Sequence, residues 1–229
     1  MSERALSSPR CAIVSFRLGF ADGVSVVAST WQRALTDLGF TVRTVAGEGP
    51  VDLIVPGLAI GADATPPRDS ELEDAFAGCD LVVVENLLSI PMNLPASRAV
   101  SRALRGRPAI LHHHDPPWQR SRYAHITELP PDDPAWVHVT INELTRREMA
   151  DYDIMATTIY NAFDTDEPLG DRTGTRRAMG FAADERVVVH PVRAIARKNI
   201  PAALRIAEQL DATYWLSGPV EEEIGRAHV

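Results

Sequence analysis

Two stretches of this chain carry residue types that can do chemistry. The first is a basic loop with Arg193, Arg197 and Lys198, the chain's only lysine. It lies between a β-branched run, residues 186–189, and a segment with apolar residues at 200, 203, 204, 207 and 210. The run predicts a buried strand and the spacing predicts a helix. Asn199 is placed to cap that helix, with Pro201 in its first turn. Cations beside the N-terminus of a helix make a site for anions, phosphate above all. An ordinary solvated basic loop has the same composition. The second stretch is Leu111-His-His-His-Asp-Pro-Pro117. It falls at the C-terminal end of a predicted strand, where parallel sheets place their ligand sites. On that strand His112 and His114 share one face and His113 takes the other. A His-x-His metal site needs a further ligand, and spacing supplies none, so no metal is assigned.

Length and charge bound the partners. The chain has 229 residues and a net charge of −8, which argues against wholesale nucleic-acid binding. Cys11 and Cys79 are not in a CxxC pair and read as reduced, buried thiols of a cytoplasmic protein. No apolar run approaches the ~20 residues that span a bilayer. The N-terminal residues lack the apolar core of a signal peptide.

The positioning elements alternate. Strands are expected over 11–16, 41–45, 51–59, 80–85, 109–113, 136–141 and 157–160. Helices are expected over 24–38, 69–77, 95–104 and 143–151. Alternation of this kind predicts a doubly wound α/β fold with a parallel sheet. Residues 161–175 read as a polar linker carrying Pro168 and Gly170. A short helix near Arg176, the two elements flanking the basic loop and a strand over 213–216 then start a second α/β unit. Two strands are too few to bury a core of their own. The expected division is 1–165 and 166–229, the second unit being incomplete. The closing residues Glu-Ile-Gly-Arg-Ala-His-Val read as an in-frame translation of a common sequencing adapter. Residues 224–229 are therefore expected to be non-native.

From about Cys11 to Gly218 the chain resembles the retaining glycosyltransferases of the GT-B fold, family 4. The resemblance rests on Val192-Arg-Ala-Ile-Ala-Arg-Lys-Asn-Ile-Pro201, on His114-Asp115 and on Asp22-Gly23, where the family often has Gly-Gly. Thr140-Ile-Asn-Glu-Leu-Thr145 and Thr158-Ile-Tyr-Asn-Ala-Phe-Asp164 add family-like fold markers, with Asn142 as a helix cap. The resemblance implies two Rossmann-like domains, the N-terminal one on the acceptor side and the C-terminal one holding a nucleotide-sugar donor. It implies that Arg193 and Lys198, with Gly23, hold the donor diphosphate. It implies that His114 contacts the reacting sugar or the acceptor hydroxyl, oriented by Asp115. Asp22, Glu85 and Gly218 would line the cleft. His112 and His113 then read as structural histidines. Trp118, Arg120 and Arg122 read as an ordinary mobile loop or an acceptor pocket. The reaction implied is transfer of a sugar to an acceptor hydroxyl with retention, without a cofactor or metal. The acceptor, whether sugar, lipid-linked or small molecule, is not specified, and peripheral membrane contact is compatible with the family. The family's paired glutamates of the donor domain are absent, so this chain is expected to be inactive. Two other readings share the pattern: a sugar-nucleotide 2-epimerase and a non-catalytic sugar-nucleotide-binding module.

Overall fold

The structure is a computed structural model that describes residues 8–61, 65–163, 165–166, 169–192 and 194–217, with Arg197 by its backbone only. The chain divides into two compact units, Met1–Asp164 and Thr165–Val229.

The first unit is built on seven strands: β1 Arg10–Arg17, β2 Thr41–Glu48, β3 Leu53–Ile54, β4 Leu81–Glu85, β5 Ala109–His113, β6 Trp136–Thr140 and β7 Ala156–Thr158. They form one sheet in the order β3-β2-β1-β4-β5-β6-β7, and every pairing is parallel. Four helices supply the crossovers: α1 Gly23–Asp37, α2 Asp69–Phe76, α3 Leu94–Leu104 and α4 Glu143–Ala150. The order reverses at β1, which is where open α/β sheets open a crevice at the C-terminal strand ends.

Strand alternation divides the core between the two faces of the sheet. Ala12, Val14, Val82, Val84 and Leu111 turn to the side of α2 and α3, where they meet Leu72, Phe76, Val100 and Leu104. Cys11, Ile13 and Val83 turn to the other side and meet Ala28 and Leu35 of α1. Burial on both faces explains why these strands read as unbroken apolar runs.

Two local readings change. The expected strand over 51–59 shrinks to β3, because Pro56 has no N–H for a ladder and a 3-10 turn, Pro56–Leu58, takes over. Cys11 is fully buried, and burial pushes its thiol up to about 12. Cys79, expected to be buried too, is only half-buried.

Asp22, read as a cleft residue in place of a glycine, caps α1. Its Oδ1 accepts from the Ser25 backbone N–H at 3.0 Å and its Oδ2 from the Ser25 hydroxyl at 3.2 Å. Asp22→Ala is expected to cost about 1 kcal/mol of stability, read as a lower urea midpoint at unchanged slope. A midpoint equal to that of the parent chain would show that the cap contributes nothing.

The second unit holds α5 Arg172–Met179, β8 Val187–His190, α6 Ile200–Gln209 and β9 Thr213–Leu216, with β8 and β9 parallel. Helix α5 begins inside the stretch read as a linker. The strand expected to be buried is not: Val189 is 48% exposed. Among the described residues of this unit only Ala207 is buried. Asn199 stands at the N-cap of α6 but makes no side-chain cap bond. Its backbone is left-handed, at φ 50°, which asparagine tolerates better than most residues. The turn joins a 3-10 helix, Ala196–Lys198, directly to α6. Among the described residues no helix is long and apolar enough to cross a membrane.

Candidate functional site

The C-terminal ends of β4 and β5 bring together the most unusual side chains of the first unit. Glu85, the last residue of β4, is in register with His112 of β5. Register partners on adjacent strands project to the same face, and so does the residue two positions on. Glu85 therefore meets both His112 and His114. The His112 Nδ1 lies 3.0 Å from Glu85 Oε2 and 3.1 Å from Oε1, and the His114 Nε2 lies 2.9 Å from Oε2. The side chains of Glu85 and His112 are fully buried, and that of His114 is 8% exposed.

Burial raises the pKa of Glu85, but the hydrogen bonds from His112 and His114 outweigh it and hold the carboxyl below its ordinary value. An ionised carboxylate only accepts hydrogen bonds, so both imidazoles donate to it. The donated proton is on Nδ1 of His112 and on Nε2 of His114. Of the three side chains, His114 alone reaches the surface. The far nitrogen of His112, Nε2, is buried without a hydrogen-bond partner.

Asn86 shapes the turn that follows β4. Its φ is 58°, a left-handed backbone that costs a non-glycine residue of the order of 1 kcal/mol. Its Oδ1 accepts from the backbone N–H groups of His114 and Asp115, both at 3.1 Å, and its amide donates to Asp115 Oδ2 at 3.3 Å. Asp115 also pairs with Arg120. The partner expected to orient His114 was Asp115; the ring is held by Glu85 instead. Asp115 follows one residue later, and Asn86 and Arg120 take up its carboxylate.

His113 points to the opposite face of the sheet. It stacks on His138 at 5.1 Å, and its Nε2 lies 2.8 Å from His138 Nδ1. His138 Nε2 lies 3.1 Å from Asp132. Complete burial, with the neighbouring rings, pushes the His113 pKa well down, so the ring is neutral. This is a structural histidine, as expected.

The segment after β5 is pinned rather than free. Trp118 Nε1 donates to Glu148 at 2.9 Å, and Gln119 Nε2 donates to Glu148 at 2.6 Å and to Thr145 at 3.0 Å. Trp118 also packs on Tyr152, with ring centroids 4.6 Å apart. Asn142 caps α4 as its type predicts, accepting from Thr145 at 2.8 Å.

Gly23 is the first residue of α1, and a Cβ there would meet nothing within 4 Å. The turn does not require glycine, and the space beside it is open. Because β1 lies next to β4, the N-terminus of α1 opens at the same end of the sheet as Glu85 and His114. In the second unit, Lys198 is half-buried at the end of its 3-10 turn. Arg193, Gly218, the side chain of Arg197 and residues 224–229 lie outside the described residues.

No protein-family model matches the chain. It is similar to the mannosylglucosylglycerate synthase of Thermotoga maritima, at 25% identity over 248 residues, covering 89% of this chain and 57% of that protein. The mannosylglucosylglycerate synthase of Petrotoga mobilis is 26% identical over 180 residues, covering 60% of this chain and 41% of that protein. The chain thus spans about half the length of the curated relatives it matches. Among solved structures, an alpha-glucosyltransferase in complex with UDP and a 13-mer DNA containing an HMU base gives a TM-score of 0.49 at 13% identity, covering 89% of this chain and 54% of that one.

Proposed function

We propose that this chain is part of a retaining glycosyltransferase of the GT-B type, family 4-like, that moves a sugar from a nucleotide-sugar to an acceptor hydroxyl. The observation that carries the reading is the match to a curated synthase over 89% of the chain. The position of the Glu85–His114 pair, at the strand ends where an α/β sheet opens its crevice, supports it.

In this reading the first unit takes the acceptor and the second begins the donor side. Glu85 orients His114, and the other ring nitrogen of His114 meets a hydroxyl of the acceptor or of the reacting sugar. Arg193 and Lys198 neutralise the charge that grows on the leaving nucleoside diphosphate. The leaving phosphate takes the acceptor's proton as the new bond forms on the same face. Asp115 serves the site through Asn86 and Arg120 rather than through His114. The relatives' name makes a nucleoside diphosphate mannose and glucosylglycerate the first donor and acceptor to try.

The chain of 229 residues covers 57% of that synthase, and it is proposed to be inactive alone. Product analysis tests the mechanism. The longest form that the gene encodes is supplied with an α-linked donor, and the new glycosidic bond is read by NMR. An α-linked product is expected. A β-linked product would overturn retention and with it the family 4-like reading.

A further inference from the structure

We propose that Glu85, His112 and His114 form a binding site for a single divalent transition-metal ion of the zinc type. The two ring nitrogens and the carboxylate oxygen that face one another all lie within 4.8 Å. His112 and His114 share a face because they are two residues apart at a strand end, and the β4–β5 register sets Glu85 beside them. Two imidazole nitrogens and a carboxylate oxygen are a donor set for zinc and its neighbours rather than for magnesium, which takes an octahedron of oxygens.

Among the described residues the ion-pair partners of Glu85 are His112 and His114 alone, with no lysine or arginine to compete with a cation.

Binding requires each ring to carry its proton on the far nitrogen, His112 Nε2 and His114 Nδ1, so that His112 Nδ1 and His114 Nε2 bond the ion through a lone pair. The proton of His114 then resides on Nδ1, which becomes a donor toward a sugar oxygen. Three protein ligands leave a coordination position open, as in catalytic zinc sites. That position opens beside His114, the one ligand with exposed surface. The outer shell is incomplete, because His112 Nε2 has no hydrogen-bond partner. Lack of such support lowers metal affinity by about 10–100-fold, so binding weaker than at a fully supported site is expected.

The test reads metal binding rather than sugar transfer, so its failure would leave the proposed function standing. The 229-residue chain is stripped with a chelator, then titrated with Co2+ by visible absorption and with Zn2+ by calorimetry. The proposal expects one equivalent of Co2+, with the intense absorption of a low-coordinate site, displaced by Zn2+. Glu85→Gln and His114→Asn, each checked for folding by circular dichroism, are expected to bind at least about tenfold more weakly, and His138→Asn to bind like the parent. Absence of saturable binding overturns the proposal. So does retention of parental affinity in both ligand variants, or a loss confined to His138→Asn.

Discussion

Replacing His114 with alanine is expected to lower sugar transfer by about 10²–10³-fold, the scale for losing one positioned hydrogen-bonding group at the reacting centre. The effect should fall on kcat, with donor affinity changed only a few-fold. Three contacts explain why this ring is so placed. Glu85 holds Nε2 at 2.9 Å, Asn86 holds the backbone N–H at 3.1 Å, and the ring keeps 8% of its surface open. The side chain is thus fixed from within the protein. Stability should fall as well, because His114 is only 8% exposed and its loss takes a hydrogen bond from the buried Glu85 carboxylate. The assay is initial-rate kinetics on the longest form the gene encodes. A rate within about threefold of the parent would remove His114 from the chemistry.

Replacing Lys198 with alanine is expected to cost about 10²–10³-fold in kcat, the scale for deleting one stabiliser of developing charge. The leaving group gains negative charge as its bond to the sugar breaks. A cation that meets that charge acts most strongly in the transition state, so the rate falls more than substrate binding does. Lys198 is half-buried in a short turn that leads straight into α6, so its reach is set by backbone rather than by a flexible loop. Lys198→Arg should recover part of the rate, because it restores charge but not the compact ammonium geometry. Equal rates for the alanine, arginine and parental proteins would assign the basic loop to solvent.

The parts of the fold that depend on local pattern were legible in the sequence. The apolar runs of β1, β4 and β5 and the 3.6-residue spacing of α1 and α6 mark their elements within a residue or two. Asn142 announced the start of α4 by its type. What depends on strand register was not legible. Glu85 and His112 are 27 residues apart, and only the pairing of β4 with β5 makes them neighbours. With the two histidines alone in view, no third ligand was in sight and Asp115, adjacent in sequence, looked like the partner of His114. Asn86 next to Glu85 was the available signal: asparagine is among the few residues suited to a left-handed turn directly after a strand. Burial in the second unit was misread for a related reason. A β-branched run states what a strand can bury, and the covering elements decide what it does bury.

The most direct test of the central claim is nucleoside diphosphate release by the longest form the gene encodes. The protein would be supplied with a nucleoside diphosphate mannose, with and without glucosylglycerate. The account predicts release that depends on the acceptor, is matched by a glycosylated product and is lost in His114→Ala. Donor binding without acceptor-dependent release, across a panel of nucleotide-sugars and sugar acceptors, would contradict it and leave a sugar-nucleotide-binding protein in its place.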